Sequence, residues 1–150
     1  MSAESASIRL VAGPELSLLE VRKDVAAREI PPGHPVEFKL NLGLNRLGEN
    51  VLGVELSLQI ANVPGLALNV AYRAVVEVAD PPTDPIALNA ALKQIGGRVA
   101  PSLMYPFIRE TVVSSLQRAL LTAIVPPIVN FANVFDLENL AVPEMRKVSG

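Results

Sequence analysis

Few residues in this chain are equipped for chemistry. There is one histidine, His34, and no cysteine. That removes thiol nucleophiles, disulfides and thiolate metal sites together, and with them any multi-histidine metal site within one chain. A hydrolytic triad would need His34 as its base, yet no G-x-S-x-G turn supplies a nucleophile. No G-x-x-x-x-G-K-[ST] occurs, and no G-x-G-x-x-G follows a strand, so nothing is built to cradle a phosphate. The carboxylates are scattered, without the pairing that acid–base work requires. His34 stands between Gly33 and Pro35 and reads as an exposed loop residue. The pair Arg109-Glu110 falls in the first turns of a predicted helix. There the dipole favours the glutamate and the arginine can reach a carboxylate of the sheet or of a partner, which is a structural role. The sequence thus predicts a protein with no enzymatic activity, no cofactor and no metal.

What remains is surface chemistry. Of 150 residues, 50% are hydrophobic and 19% charged, with a net charge of -2. This balance excludes a disordered chain. It also provides no basic field for a nucleic acid or an anionic membrane. A domain of this size buries about 68–70% of the surface its unfolded chain exposes. Half-apolar composition exceeds what one copy hides comfortably, which predicts an oligomer, an apolar groove, or both. The opening Met1-Ser2-Ala3-Glu4-Ser5 has neither the basic nor the apolar region of a secretory signal. The longest uncharged stretch, 119–135, falls short of a membrane span and is broken by Pro126-Pro127. A cytoplasmic protein with one domain over 1–150 and a mobile tail at 144–150 is expected.

The elements that must position any groove are legible from periodicity. Over 36–44, Val36, Phe38, Leu40, Leu42 and Leu44 alternate with polar residues and glycine, as in a half-buried strand. Val54, Leu56, Leu58 and Ile60 repeat the pattern. So do Leu66, Leu68, Val70, Tyr72, Ala74, Val76 and Val78, whose opposite face also carries Ala67, Ala71 and Val75 and is expected to meet a subunit. Short loops at 46–50 and 62–65 make these neighbours antiparallel. In the first strand Leu16 and Leu18 hold one parity and Leu19 and Val21 the other, which predicts a bulge. After a crossover at 25–35 and the three later strands, the period changes. A short helix is expected at 86–95, stopped by Gly96-Gly97, then the main helix at 102–121 with Pro106 near its start. Tyr105, Ile108, Val112, Leu116 and Ala119 form its apolar stripe. A shorter helix is expected at 133–140. Sheet first and helices after gives an α+β fold: a four-stranded antiparallel sheet with a long helix and a shorter C-terminal helix on one side.

The run Pro101, Met104, Tyr105, Pro106, Phe107, Arg109, Glu110, followed by Pro127, Val129, Asn130 and Phe131, resembles the C-terminal half of the SecB family of protein-export chaperones. There a P-x-x-[LM]-[FY]-P-[FY]-x-R-E run opens the long helix and a P-[VI]-[NV]-F-like run precedes the second. The resemblance spans roughly residues 15–136 and is specific over about 95–135. It implies an ATP-independent holdase that binds unfolded secretory preproteins in apolar grooves. It further implies a homotetramer, a dimer of dimers with the long helices packed between, and delivery of clients to the translocase motor SecA.

Carried onto this chain, the groove candidates are Ile30, Ile124, Val125, Ile128, Val129, Phe131, Phe135, Leu137 and Leu140. The oligomer-interface candidates are Val112, Val113, Leu116 and Leu120. SecA-docking candidates are Asp24 and Glu29, diluted by Arg22, Lys23 and Arg28. The crossover carries no aromatic residue, unlike that of better-known members, and 144–150 lacks an acidic extension. These departures point to a divergent SecB-like chaperone, with a dedicated client such as an antitoxin as the alternative to export. A binding module for a small apolar ligand is the reading from another class.

Overall fold

The computed structural model describes residues 8–24, 36–60, 62–118 and 124–144. Four strands, β1 (Ile8–Lys23), β2 (Phe38–Gly48), β3 (Val51–Ile60) and β4 (Leu66–Val78), form one antiparallel sheet in the order β1-β4-β3-β2. Strict alternation puts Leu52, Val54, Leu56, Leu58 and Ile60 of β3 inward and buried. Leu66, Leu68, Val70, Ala74, Val76 and Val78 of β4 do the same. β4 has the bounds its periodicity predicts, while β2 starts two residues later than expected and continues to Gly48. The hairpin turn is therefore only Glu49-Asn50, and Asn50 ties it down: its Nδ2 donates to the Val78 carbonyl at 2.9 Å, and its own carbonyl accepts from Val78 N–H at 2.9 Å.

The bulge expected in β1 is present, as a register shift between Leu16 and Leu18. Two further shifts, between Leu10 and Ala12 and between Ala12 and Glu15, lie where the sequence shows no alternation. Gly13 between them has φ +79, and a Cβ there would lie 2.6 Å from the Arg73 carbonyl oxygen, so only glycine fits. On the outer face of β4, Ala71 is buried between its register partners Leu18 of β1 and Ser57 of β3.

The helices depart from expectation in three ways. First, α1 (Pro85–Gln94), capped by the Asp84 side chain accepting from Ala87 N–H, does not stop at Gly96-Gly97. It runs through a π-helical turn, Ile95–Val99, directly into α2 (Ala100–Arg118). The glycines act as spacers. A Cβ on Gly96 would come within 2.9 Å of Leu44, and one on Gly97 would overlap Leu137. Second, Pro106 lies inside a continuous helix, not near its start. Third, no helix forms at 133–140. Asn130 and Asp136 each accept from a backbone N–H two residues on, Ala132 at 3.0 Å and Glu138 at 3.1 Å, offering the chain local turns instead of a helix.

The predicted stripe of α2 is the buried one: Met104, Tyr105, Ile108, Val112 and Leu116 all face the inner side of β4 and β3. Val112 and Leu116 are 0% exposed within their own chain, so they present nothing to a second copy, contrary to the interface expectation. Leu120, Ala119, Ile30, Glu29 and His34 lie outside the described residues.

Candidate functional site

Segment 124–144 has no regular secondary structure and runs back along α2 as a strap. Its direction is set by two prolines, which lack N–H groups and offer only carbonyls. Arg109 Nε donates to the Pro126 carbonyl at 3.2 Å, and Tyr105 Oη donates to the Pro127 carbonyl at 2.6 Å. Phe131 then meets Tyr105 edge-on, with ring centroids 5.5 Å apart and planes at 65°, and Phe135 stacks on Phe131 at 6.2 Å. Further on, Leu137 and Leu140 reach Gly97. Descending the strap thus means ascending α2 towards its N-terminus.

Between α2 and the strap lies an open cleft of about 470 Å³. Tyr105, Pro106, Val113, Ile128, Val129 and Phe131 make it apolar, while Ser102, Arg109, Glu110 and Ser114 add polar groups. The groove candidates separate by burial. Ile124 and Phe131 are core residues, Phe131 only 3% exposed, although it also lines the cleft. Val129, Phe135, Leu137 and Leu140 are half-buried, Val125 is exposed, and Ile128 is 92% exposed. Val113, an interface candidate, instead lines this cleft. Arg109 is structural as expected, but through a carbonyl rather than a carboxylate. Glu110 is not: α2 continues upstream of it, so no helix terminus lies nearby, and its side chain is exposed with no hydrogen bond or ion pair among the described residues.

Burial raises the Tyr105 pKa above its ordinary 10.0, against the opposing pull of Arg109. A raised pKa means that the fold favours the neutral phenol. The stability this contributes is whole below about pH 10 and is lost as pH rises through the shifted value. The urea midpoint of the wild type is expected to fall above pH 10 more steeply than that of Tyr105→Phe. Parallel curves would show that the phenol does not titrate with unfolding. Below pH 10 the variant should lose about 1 kcal/mol, the hydrogen bond to Pro127.

The opposite flank of α2 carries a surface that residue patterns did not reveal. Phe107 packs on Tyr72 at 6.1 Å, and Tyr72 Oη shares a hydrogen bond with Thr111 Oγ1 at 2.5 Å. In β1, Leu10, Leu16 and Leu19 pair with Val76, Tyr72 and Val70 and so share the inner face. Yet each is nearly half exposed, because α2 lies over β4 and β3 and scarcely reaches β1. Leu103 and Phe107 are exposed on the same helix. The available signal was a first strand bearing leucines on both faces after its phase flip.

The outer face of the sheet is charged but self-neutralised. Arg9 pairs with Glu77 at 2.8 Å, Arg22 with Glu20 at 3.4 Å and Arg73 with Glu55 at 3.8 Å. Asp24 is exposed at the end of β1, in a shallow pocket with Arg22, Lys23 and Leu66. Among the described residues no group of three or more histidine, cysteine, aspartate or glutamate side chains is placed to hold a metal. No helix there is long and apolar enough to cross a membrane.

No family model matches the chain, and no curated protein matches it by sequence. Among solved structures, the fold is similar to that of the Rv1957 SecB-like chaperone of Mycobacterium tuberculosis, solved in complex with a ChAD peptide from the HigA1 antitoxin. The identity is 15%, the match covers 81% of this chain and 90% of that one, and the TM-score is 0.58. The α+β fold, with its four-stranded antiparallel sheet and long helix, is therefore SecB-like.

Proposed function

We propose that a chain of this fold, with this cleft, is an ATP-independent chaperone that holds unfolded polypeptide. The observation that carries the reading is Ile128, 92% exposed at the lip of an apolar cleft whose floor is fixed by Tyr105 and Phe131. With Val129 and Val113, which line the same cleft, it makes a patch rather than a stray surface residue. An unfolded chain offers scattered apolar side chains, and an open cleft accepts many such segments weakly. A carrier of a small apolar ligand would bury 70–90% of its ligand; an open cleft suits a segment of chain better.

A dedicated client is favoured over general export. The structural neighbour holds an antitoxin peptide, and SecA docking calls for a dense acidic patch, whereas two cross-strand ion pairs, the Arg22–Glu20 pair within β1, and Arg22 and Lys23 beside Asp24 leave the described outer face without one. The exposed leucines of β1, on the edge of the sheet, support assembly into an oligomer, with a homotetramer as the expected form. Several clefts in one assembly add avidity to weak individual contacts.

The purified protein, without nucleotide, should suppress aggregation of a chemically unfolded polypeptide at near-stoichiometric ratio. Ile128→Ser should weaken that binding about fivefold, the loss of roughly 1 kcal/mol of apolar contact. A dedicated chaperone protects its own client and leaves an unrelated secretory precursor to aggregate; equal protection of both would return the export reading to first place. No protection of any unfolded chain by a folded sample would dismiss the chaperone reading.

A further inference from the structure

We infer that the distal half of the strap, 132–144, covers apolar surface that continues the cleft past Phe131 towards Gly97, and that it is a built-in competitor for that surface which gives way to bound polypeptide rather than a wall of the site. This rests on the chaperone reading, and the experiment below separates the two.

The strap is held in two different ways. Its upstream end is hydrogen-bonded to the body of the protein through Arg109 and Tyr105. From Ala132 onward, every hydrogen bond among the described residues goes to the strap itself: Ala132 N–H to Asn130 Oδ1, Glu138 N–H to Asp136 Oδ1, Asn139 Nδ2 to Asp136 Oδ2, and Leu140 N–H to the Leu137 carbonyl. The distal half can leave without breaking one hydrogen bond to the rest of the protein. No buried donor or acceptor is orphaned, which is the step that makes most segments costly to detach.

What holds it is apolar contact alone. Phe135 stacks on Phe131, and Leu137 and Leu140 sit against Gly97, where a methyl group would take the place of Leu137 and come 3.0 Å from Leu140. All three side chains keep part of their surface in water. Apolar side chains at irregular spacing on a chain without secondary structure are also what an unfolded client presents. The strap therefore makes the contacts a client would make, with weak net holding, because partial burial is offset by the entropy of ordering the segment. A site that is competent for only part of the time binds with affinity reduced by that fraction.

The test uses full-length protein. Leu137→Ser with Leu140→Ser loosens the strap from its own side; Gly97→Ala pushes it off from the body side and leaves its sequence intact. Three readouts are taken: binding of the apolar dye bis-ANS without client, affinity for reduced carboxymethylated α-lactalbumin, and amide hydrogen exchange of the wild type with and without that client. Both variants should bind dye and client about three- to tenfold more tightly. In the wild type, client should speed exchange over 132–144 and leave α2 unchanged. A several-fold loss of client affinity in the Leu137/Leu140 variant, or unchanged affinity in both variants, would make the strap part of the wall and overturn the proposal. Unaltered exchange over 132–144 would do the same without reference to any variant. Dye binding that rises in both variants while no form binds the carboxymethylated lactalbumin would sustain a releasable strap and count against a general holdase.

Discussion

Phe131→Ala should cost the fold about 3–5 kcal/mol, read as a fall in the urea midpoint, because it empties a ring's volume at a site only 3% exposed. The ring also closes a ladder: Tyr105 meets it edge-on, Phe135 stacks on it, and Tyr105 in turn holds the Pro127 carbonyl. Aromatic pairs of this kind contribute about 0.5–1.5 kcal/mol beyond their area. Three residues away, Ile128→Ser should change stability by less than about 0.5 kcal/mol, since its side chain touches little of its own chain. The sign of the functional effect is opposite in rank: Ile128→Ser should lose client affinity at full stability, and Phe131→Ala should lose affinity only in proportion to the fraction unfolded. Equal stability losses would mean that the strap does not pack as described. An affinity loss in folded Phe131→Ala as large as that of Ile128→Ser would make the ring a client contact.

The second large effect concerns assembly. Leu16 and Leu19 lie on the inner face of the sheet beside Tyr72 and Val70, on an edge strand that α2 leaves uncovered. Covering one leucine contributes roughly 1.5–3 kcal/mol, so an interface built on this strand should fail when both are charged. Leu16→Asp with Leu19→Asp is expected to shift the sedimentation mass from an oligomer to single chains, with the β content unchanged by circular dichroism, because neither side chain is in the core. A double variant that keeps the wild-type mass would move the interface elsewhere. A wild type already monomeric at micromolar concentration would remove the assembly reading. Val113→Glu, by contrast, puts a charge into the cleft and should act on client binding before it acts on mass.

The sheet was legible because a strand with one buried face must alternate, and β3 and β4 alternate without exception from Leu52 to Ile60 and from Leu66 to Val70. The stripe of α2 was legible for the same kind of reason at period 3.6. The junction of the helices was not. Gly96-Gly97 carries the ordinary signal of a helix end, but here it answers to Leu44, Leu52, Leu137 and Leu140, neighbours far along the chain that local sequence does not announce. The stripe also says nothing about what covers it, and for that reason Val112 and Leu116 read as interface when they face their own sheet. In the strap there is no period at all. Ile124, Val125, Ile128, Val129 and Phe131 are equally apolar in sequence, and only two proline carbonyls, held by Tyr105 and Arg109, decide which of them turn inward.

The π-helical turn at Ile95–Val99 sets the permitted length of this chain. Such a turn carries one residue more than the α-helix it interrupts, and each residue advances a helix by about 100°. Deleting a single residue here would let α1 and α2 merge into one regular helix and rotate all of α2 by that angle. Tyr105 would swing off Pro127, Arg109 off Pro126, and the stripe from Met104 to Leu116 partly off the sheet. The turn Glu49-Asn50 and the loop at 62–65 can absorb a gained or lost residue locally, but this glycine pair cannot. Among descendants of this sequence, the distance from Asp84 to Tyr105 should therefore hold constant while the hairpins vary in length.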